Sequence, residues 1–555
     1  MIMINNKILE QASNRIKIEE NENKIGVLLG RSKALISTIY SCFCNELTYI
    51  PLDVNWPKER LAFVLHDSKI ETVITNHQYS NLLNNVKYIC VNDNDIIDFD
   101  CSINNNDIAY TLYTSGLTGN PKGVEITRES LFNFIEGISE IIDFTEGKKI
   151  ACITTVSFDI FFLESIMALK KGLTVILANE DEQTNPKLMG KFIKDNNIDM
   201  IQMTPSSMQL LINNDKELLS LKNVKEIMIG GESFPLNTLR FLQERTTAKI
   251  YNMYGPTETT IWSTVSDLTS KDRIDIGYPI KNTEVYIVDE NFFVVTNGQA
   301  GEICISGKGL AKRYVNRESL TVEKFIYLPQ KPDTKVYRTG DIGRFLSDGS
   351  IEFLGRTDNQ VKVRGHRIEL EEIETHINQF VGINQSIVIT VETSNNDKIL
   401  QAFYTSNIHI DSKNIIKYLS LKLPLYMIPV IFTQVENFIQ TFNGKIDRKK
   451  VMECIEIKPE PVTTHNSTPE DLNEIQKKVM TIIKSNFEER KLDKLTLNTD
   501  LSSIGIDSIS LVKLVVAVEC EFDFEFDDEM LLITKFPTIM SMVEYIESKV
   551  NLLIF

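Results

Sequence analysis

From about residue 25 to residue 450, short β-branched runs alternate with amphipathic stretches. The runs fall at 24–29, 72–74, 149–154, 173–177, 199–203 and 224–229. Such alternation predicts parallel strands joined by crossover helices, an α/β architecture. Between Thr283 and Gly349 the pattern changes to strands cut by Gly and Asp turns, as at 302–307, which predicts antiparallel or barrel-like structure. Residues 454–469 are polar and proline-rich, the composition of a linker. Beyond them Ile475, Val479, Ile482, Ile483 and Phe487 recur at helical spacing. Leu511, Val512, Val515, Val516 and Val518 predict a second apolar helix and 539–546 a third, together a helical bundle. No internal repeat is visible.

Length and charge refine this picture. A chain of 555 residues is too long for one core and points to three or four domains. The net charge of −17 argues against nucleic acid and anionic membrane as partners. No apolar run approaches the ~18 residues of a membrane span. The first residues lack the basic-then-apolar order of a signal peptide. The eight cysteines are scattered without a CxxC pair, which argues for reduced thiols and a cytoplasmic location. Residues 470–555 hold 17 Asp/Glu against 9 Lys/Arg, marking a small acidic C-terminal domain.

Candidate chemistry starts at residues 112–124, Leu-Tyr-Thr-Ser-Gly-Leu-Thr-Gly-Asn-Pro-Lys-Gly-Val. Glycines let backbone N–H groups approach an anion, hydroxyls donate to phosphate oxygens, and Lys122 supplies countercharge. The order is not that of a Walker loop, because Gly123 rather than Ser or Thr follows the lysine. Residues 252–260 form a turn bearing hydroxyls and one carboxylate, Glu258, suited to Mg²⁺ beside phosphate oxygens. Asp341 in Tyr-Arg-Thr-Gly-Asp is placed to accept from two ribose hydroxyls, the long polar motif 353–369 follows, and Lys445 stands on a turn.

These five segments, in order, resemble the core motifs of nonribosomal peptide synthetase adenylation domains, members of the adenylate-forming enzymes. The resemblance spans about residues 25–450. It implies a large core of parallel sheets plus a small β-barrel at 1–357, an α+β lid at 358–453, a linker at 454–469 and an all-α four-helix carrier bundle at 470–552. It further implies that Thr114, Ser115, Gly116, Thr118, Gly119 and Lys122 wrap the β,γ-phosphates of ATP. Gly231, Asn252 and Tyr254 would frame the adenine, Thr257 touch the α-phosphate, Glu258 hold Mg²⁺, and Asp341 bind the ribose with Arg356 close by. Lys445 would bridge carboxylate and α-phosphate, and Asp358 would be the hinge of a lid that removes Lys445 and presents the loop 363–367. Two positions depart from the family pattern: Leu117 replaces a small hydroxyl residue, and Phe353 a tyrosine. The N-terminal helices are also abbreviated.

Residues 156–164 hold Asp159 within an apolar run, and a buried Asp needs a partner. By the resemblance Asp159 binds a substrate ammonium group, so an amino acid is expected. The pocket would be lined by Asp159, Ile160, Leu163, Gln202, Met228, Gly230, Met253, Ile261, Trp262 and Lys445. Most of these are large, which favours a small substrate, glycine first and alanine second. In the acidic domain, residues 505–509, Gly-Ile-Asp-Ser-Ile, resemble the 4′-phosphopantetheine site of carrier proteins, with Ser508 as attachment point. A helix N-terminus suits a phosphodiester there. The implied partners are a phosphopantetheinyl transferase and a condensation or other acceptor enzyme acting in trans. An acyl-CoA-type ligase is the alternative that Asp159 and Ser508 speak against. A weakened adenylation domain serving as carrier scaffold is the other.

Overall fold

The computed structural model describes residues 2–19, 22–101, 106–116, 119–392, 398–435, 437–438, 448, 451, 474–486, 497, 499, 501, 508–522, 526, 536 and 538–552. The chain divides into two compact units, Met1–Glu369 and Leu370–Phe555.

In the first unit the apolar runs pair into two large mixed sheets. One has seven strands in the order Arg313–Tyr314, Lys122–Thr127, Ile108–Thr114, Thr48–Pro51, Lys24–Leu28, Thr72–Thr75, Lys87–Cys90. The other has eight: Ile2–Ile4, Thr174–Leu177, Lys149–Cys152, Met200–Met203, Glu226–Gly230, Lys249–Tyr254, Thr264–Asp267, Tyr278–Pro279. The central pairings are parallel; antiparallel strands close both edges of the eight-stranded sheet and one edge of the seven-stranded sheet, whose other edge strand, Lys87–Cys90, pairs parallel. Parallel strands are covered on both faces and so need near-continuous apolar sequence; Thr72–Thr75, Met200–Met203 and Glu226–Gly230 are buried along their whole length.

Helices Lys33–Cys44 and Arg128–Ser139, with the helical residues 160–170, fill a core shared by both sheets. Val27, Tyr110 and Val124 from one sheet join Ile150, Val175 and Met228 from the other in one cluster. The far face of the eight-stranded sheet is covered by helices Pro186–Asp195, Pro205–Asn214 and Leu236–Arg245. Helix Lys58–Ser68 covers the far face of the seven-stranded sheet.

The segment with the changed pattern is a five-stranded antiparallel sheet built from Thr283–Val288, Gly301–Gly307, Lys331–Phe345, Phe325–Leu328 and Ile351–Arg356. It also contains a helix, Glu318–Lys324, that the strand pattern did not reveal. A hairpin of Gln360–Val363 and His366–Glu369 ends the unit. Its two turn residues, Arg364 and Gly365, both have positive φ, 50° and 82°, which matches the turn sense of a tight two-residue hairpin.

The second unit holds a three-stranded sheet, Ile383–Glu392, Lys398–Ser406 and Ile431–Gln434, with helices Leu370–Asn378 and Ser412–Ser420. Of the expected bundle, the described residues include helices Glu474–Asn486, Ser508–Phe522 and Ile539–Leu552. Val479, Ile483, Leu511, Leu514, Val518, Met542 and Ile546 form their common core. The linker 454–469 and Phe487 lie outside the described residues.

Candidate active site

Open parallel sheets offer a crevice beyond the carboxyl ends of their strands, above all where the strand order reverses. Here strand Lys149–Cys152 lies between Thr174–Leu177 and Met200–Met203, so the reversal falls just past Cys152 and Met203. Asp159, Ile160 and Leu163 follow the first of these ends, Gly231 follows Glu226–Gly230, and Thr257 and Glu258 follow Lys249–Tyr254. Register sorts the side chains. Gln202 pairs with Met228 and Gly230 with Met253, which sets all four on one face; Asn252 and Tyr254 fall on the other.

The first face forms a tightly filled pocket. Ile160, Leu163, Met228, Met253, Ile261 and Trp262 are buried in the shared core. Gly230 allows the closest approach: a Cβ there would lie 2.7 Å from both the Trp262 ring and the Met253 carbonyl oxygen. Within this apolar lining, Asp159 Oδ2, Gln202 Oε1 and Trp262 Nε1 are buried without a hydrogen-bond partner. Burial, opposed by a hydrogen bond from Thr257 and aided by the charge of Glu258, pushes the Asp159 carboxyl up to about 6.

The glycine-rich loop joins strands Ile108–Thr114 and Lys122–Thr127. Leu117 and Thr118 lie outside the described residues. A Cβ on Gly116 would lie 2.3 Å from the Asn120 carbonyl oxygen, so this turn is open only to glycine. Thr114 Oγ1 is buried and unpartnered, whereas Ser115 Oγ donates to the Arg367 carbonyl at 2.8 Å. Lys122 Nζ stands 3.3 Å from Glu258 Oε1 and 4.9 Å from the centre of the Tyr314 ring. Glu258, 0% exposed, also accepts from the Tyr314 hydroxyl and from Arg367, each at 2.7 Å. Burial alone would raise its pKa, but Arg367 and Lys122 beside it hold the carboxyl well below the usual range.

Among the described residues no cluster of three or more His, Cys, Asp or Glu could hold a metal. A divalent cation at this site would rest on Glu258 and on phosphate oxygens, which is the coordination Mg²⁺ prefers. The donor chemistry fits such an ion once Arg367 leaves the carboxylate.

The second face continues into a polar chain. The Tyr254 hydroxyl donates to Asp341 at 2.6 Å, Asp341 pairs with Arg356, and the Arg356 fork donates to Asp358 at 2.7 and 2.8 Å. The Phe353 ring lies 6.4 Å from that of Tyr254. The Asn252 amide donates to the Asp275 carbonyl at 2.8 Å, and Gly231 adopts a positive φ of 89°. Lys445 lies outside the described residues, and Ser508 is the first residue of its helix.

Comparison with known proteins matches residues 10–315 to a family described as AMP-binding enzyme. The chain belongs to the AMP-binding enzymes. Residues 477–546 match a phosphopantetheine attachment site, so an adenylation region is followed by a carrier module, the organisation of nonribosomal peptide synthetases. Gramicidin S synthase 1 of Brevibacillus brevis is 32% identical over 96% of this chain and 48% of its own length. A dimodular nonribosomal peptide synthase of Bacillus subtilis (strain 168) is 34% identical over 81% of this chain and 20% of its own. The chain thus spans about half, or less, of these relatives. A solved four-domain nonribosomal peptide synthetase bound to AMP and glycine is 29% identical, with a TM-score of 0.56, over 96% of this chain and 39% of that one. A solved adenylation and PCP protein aligns with a TM-score of 0.70 at 21% identity, over 95% of this chain and 88% of that one. None of the described helices is long and apolar enough to cross a membrane.

Several residues of this AMP-binding enzyme escaped the sequence reading. The run 156–164 contains a second buried carboxylate, Glu164, which accepts from the Ile153 and Thr154 N–H groups at 2.9 and 2.8 Å and from the Thr154 hydroxyl at 2.6 Å. Burial pushes it up to about 7. Arg31, which follows strand Lys24–Leu28 of the other sheet, donates to the carbonyls of Cys152, Thr154 and Ala178. These two side chains fix the strand end that leads to Asp159. Tyr314 and Glu232 were also missed; Glu232 accepts from the Gly365 N–H at 2.5 Å and the Ser206 N–H at 3.0 Å. A buried charge within an apolar run was the one available signal, and only Glu164 carried it.

Proposed function

We propose that the chain activates a small amino acid with ATP as aminoacyl-AMP, glycine first and alanine second. It then passes the aminoacyl group to a thiol on its own carrier module, in nonribosomal peptide or related biosynthesis. Asp159 carries this reading. It is a buried carboxylate with an unpartnered oxygen beside the carboxyl ends of parallel strands. An ammonium group is the ligand whose charge answers it, and a fatty or aryl acid has none. The close contact of Gly230 with Trp262 and Met253 supports a substrate with little beyond its α-carbon. The relative solved with AMP and glycine supports the same choice.

A carboxylate is already an anion at neutral pH, so no general base is required. The amino-acid oxygen attacks the α-phosphorus, the bond to the β-phosphate breaks, and pyrophosphate leaves. Protein groups contribute position and charge. Thr114, Ser115, Gly116, Thr118, Gly119 and Lys122 would hold the β,γ-phosphates, Thr257 the α-phosphate, and Lys445 would bridge the reacting groups. Tyr254, Asp341 and Arg356 would hold the nucleoside, with Gly231 and Asn252 beside the base. Mg²⁺ on Glu258 would neutralise phosphate charge when bound. Phosphopantetheine on Ser508, installed by a transferase, would supply the accepting thiol. Residues 358–453 would turn about Asp358 between the two reactions, and a downstream acceptor enzyme in the cytoplasm would take the cargo.

Amino-acid-dependent pyrophosphate exchange across a panel of amino acids tests this reading. Glycine is expected to give the highest kcat/KM. No exchange with any amino acid would sink the proposal, and preference for a large side chain would sink the glycine assignment. A mass increase of the carrier after treatment with a phosphopantetheinyl transferase, lost in Ser508→Ala, tests the attachment point.

A further inference from the structure

Glu164 is a buried carboxylate that no step of the proposed reaction uses. It is 0% exposed, and both of its oxygens bind the strand end before Asp159. Oε2 accepts from the Ile153 and Thr154 N–H groups at 2.9 and 2.8 Å, and Oε1 from the Thr154 hydroxyl at 2.6 Å. Glu164 leaves its helix where the turn widens to π geometry, over Leu163–Met167, directly after the residues Ile160–Phe162 that Asp159 caps. Single π turns are rare within helices and frequent at functional sites. This one lies between two carboxylates, one in the pocket and one bound to the chain that leads there.

The same stretch is held from the other sheet. Arg31 follows strand Lys24–Leu28, and its guanidinium donates to the carbonyls of Ala178 at 2.6 Å, Thr154 at 2.7 Å and Cys152. Cys152 ends strand Lys149–Cys152 and Ala178 follows its parallel neighbour Thr174–Leu177, so one planar fork ties two strand ends together. Asp53, after strand Thr48–Pro51, accepts from the Thr155 and Ser157 hydroxyls at 3.1 and 3.0 Å. Between Cys152 and Ser157, carbonyls, N–H groups and hydroxyls are thus bound by three charged side chains. Chain beyond a strand end ordinarily meets water. Here it is clamped, and Asp159 follows two residues later. Asp159 has no ion pair of its own among the described residues, so its placement rests on the chain on either side of it.

We propose that Glu164 and Arg31 are positioning residues for the amino-acid end of the site: they lock the strand end 152–154 to the helix that Asp159 opens, and so hold the Asp159 carboxylate where the substrate ammonium group meets it. Neither touches the substrate. The inference rests on the proposed function in taking Asp159 as the ammonium partner. A displacement of about 1 Å at such a contact costs up to about a hundredfold. The glycine-rich loop between Ile108–Thr114 and Lys122–Thr127 shares none of these bonds, so the loss falls on the amino acid and not on the nucleotide.

Pyrophosphate exchange by the full chain tests this, with ATP and the amino acid (glycine, or whichever the parent uses best) varied separately. Glu164→Ala is expected to raise the amino-acid KM about thirtyfold and to keep the ATP KM within about twofold of the parent. The amide of Glu164→Gln can still accept both N–H groups and donate to Thr154, so this variant should stay within about threefold of the parent. Arg31→Lys should raise the amino-acid KM about tenfold, because one ammonium group cannot span three carbonyls. A role in folding alone would lower the active fraction, and with it kcat, at unchanged KM. An amino-acid KM within about twofold of the parent in Glu164→Ala and Arg31→Lys overturns the proposal. So does an equal rise in both KM values, or a Gln variant as impaired as the Ala variant. Should Glu164→Ala fail to fold, Thr154→Val replaces it, removing only the hydroxyl bond to Glu164; about a fivefold rise in amino-acid KM is expected, and no rise overturns the proposal. Exchange in the parent with unshifted variants sinks this inference alone. No exchange in the parent with any amino acid sinks the function reading and this inference with it.

Discussion

Two carboxylates of the first unit, Glu258 and Asp159, share one crevice and are both buried, yet their surroundings are opposite. Glu258 is surrounded by Arg367, Lys122 and the Tyr314 hydroxyl, and these hold it ionised well below the usual carboxylate range. Asp159 has no ion-pair partner among the described residues, one oxygen without a hydrogen bond, and a carboxyl pushed up to about 6 by burial. A buried charge is tolerated when paired and costly when bare. Glu258 is therefore already paired by the fold, and on the proposed reading Asp159 is a group whose partner arrives with the substrate. The contrast separates two ends of the crevice: the carboxylate at Glu258 is neutralised by its neighbours, and that at Asp159 keeps an oxygen without a partner.

Removing Asp159 should break the comparison most visibly. Asp159→Ala is expected to lower kcat/KM for the amino acid roughly a hundred- to a thousandfold in pyrophosphate exchange, the loss typical of one member of a buried charge pair. Stability should move the other way in Asp159→Asn. The folded value of Asp159 lies above its ordinary 3.8, so ionisation costs the native state stability as pH rises from about 4 to about 6. The Asn variant escapes that cost and should gain about 2–3 kcal/mol on the parent above pH 6, measured by urea unfolding.

Glu258→Gln should do the reverse at the other carboxylate. It leaves Lys122 and Arg367 facing a neutral group and is expected to destabilise the protein by about 3–5 kcal/mol in urea unfolding. The folded value of Glu258 is depressed, so its contribution is complete above the ordinary carboxylate range and is lost only as pH falls toward that depressed value. The parent-minus-variant gap should accordingly stay constant from pH 6 to 8 and shrink in acid.

Gly230→Ala tests how tightly the substrate end is packed. Its Cβ would meet Trp262 and Met253 at 2.7 Å, so a loss of about 1–3 kcal/mol of stability is expected by thermal or urea unfolding. The smallest effect is that of pH on substrate capture. Below pH 6 the free enzyme carries a protonated Asp159, and kcat/KM for the amino acid should fall about tenfold per pH unit. A flat profile between pH 5 and 7 would remove Asp159 as the ammonium partner.

Much of this was legible in the chain. The runs at 72–74 and 199–203 became the strands Thr72–Thr75 and Met200–Met203 because doubly covered strands must be apolar along their length. The order of glycines, hydroxyls and Lys122 marked a turn between two strands, and the structure has Ile108–Thr114 and Lys122–Thr127 on either side of it. Helix Glu318–Lys324 was not legible: it is seven residues long and has no buried residue, so it leaves no periodic signal. The pairing of Arg367 with Glu258 spans 109 positions and could not be read from either local pattern. Arg31 escaped for a similar reason, because its partners are backbone carbonyls 121–147 positions away, and Glu164 because its partners are mostly backbone N–H groups, which carry no sequence identity.

The sequence by itself determined the element types, the glycine- and hydroxyl-rich turn with Lys122 and the acidic C-terminal module. These follow from local chemistry: periodicity, turn residues and charge. Only the tertiary structure decided which carboxylate is paired and which is bare. Pairing depends on what other strands and hairpins bring within about 3–4 Å, and at that range burial and neighbouring charge outweigh the intrinsic character of the side chain. Two carboxylates of like intrinsic chemistry thus became one paired and one with an unpartnered oxygen through the company the fold gives each.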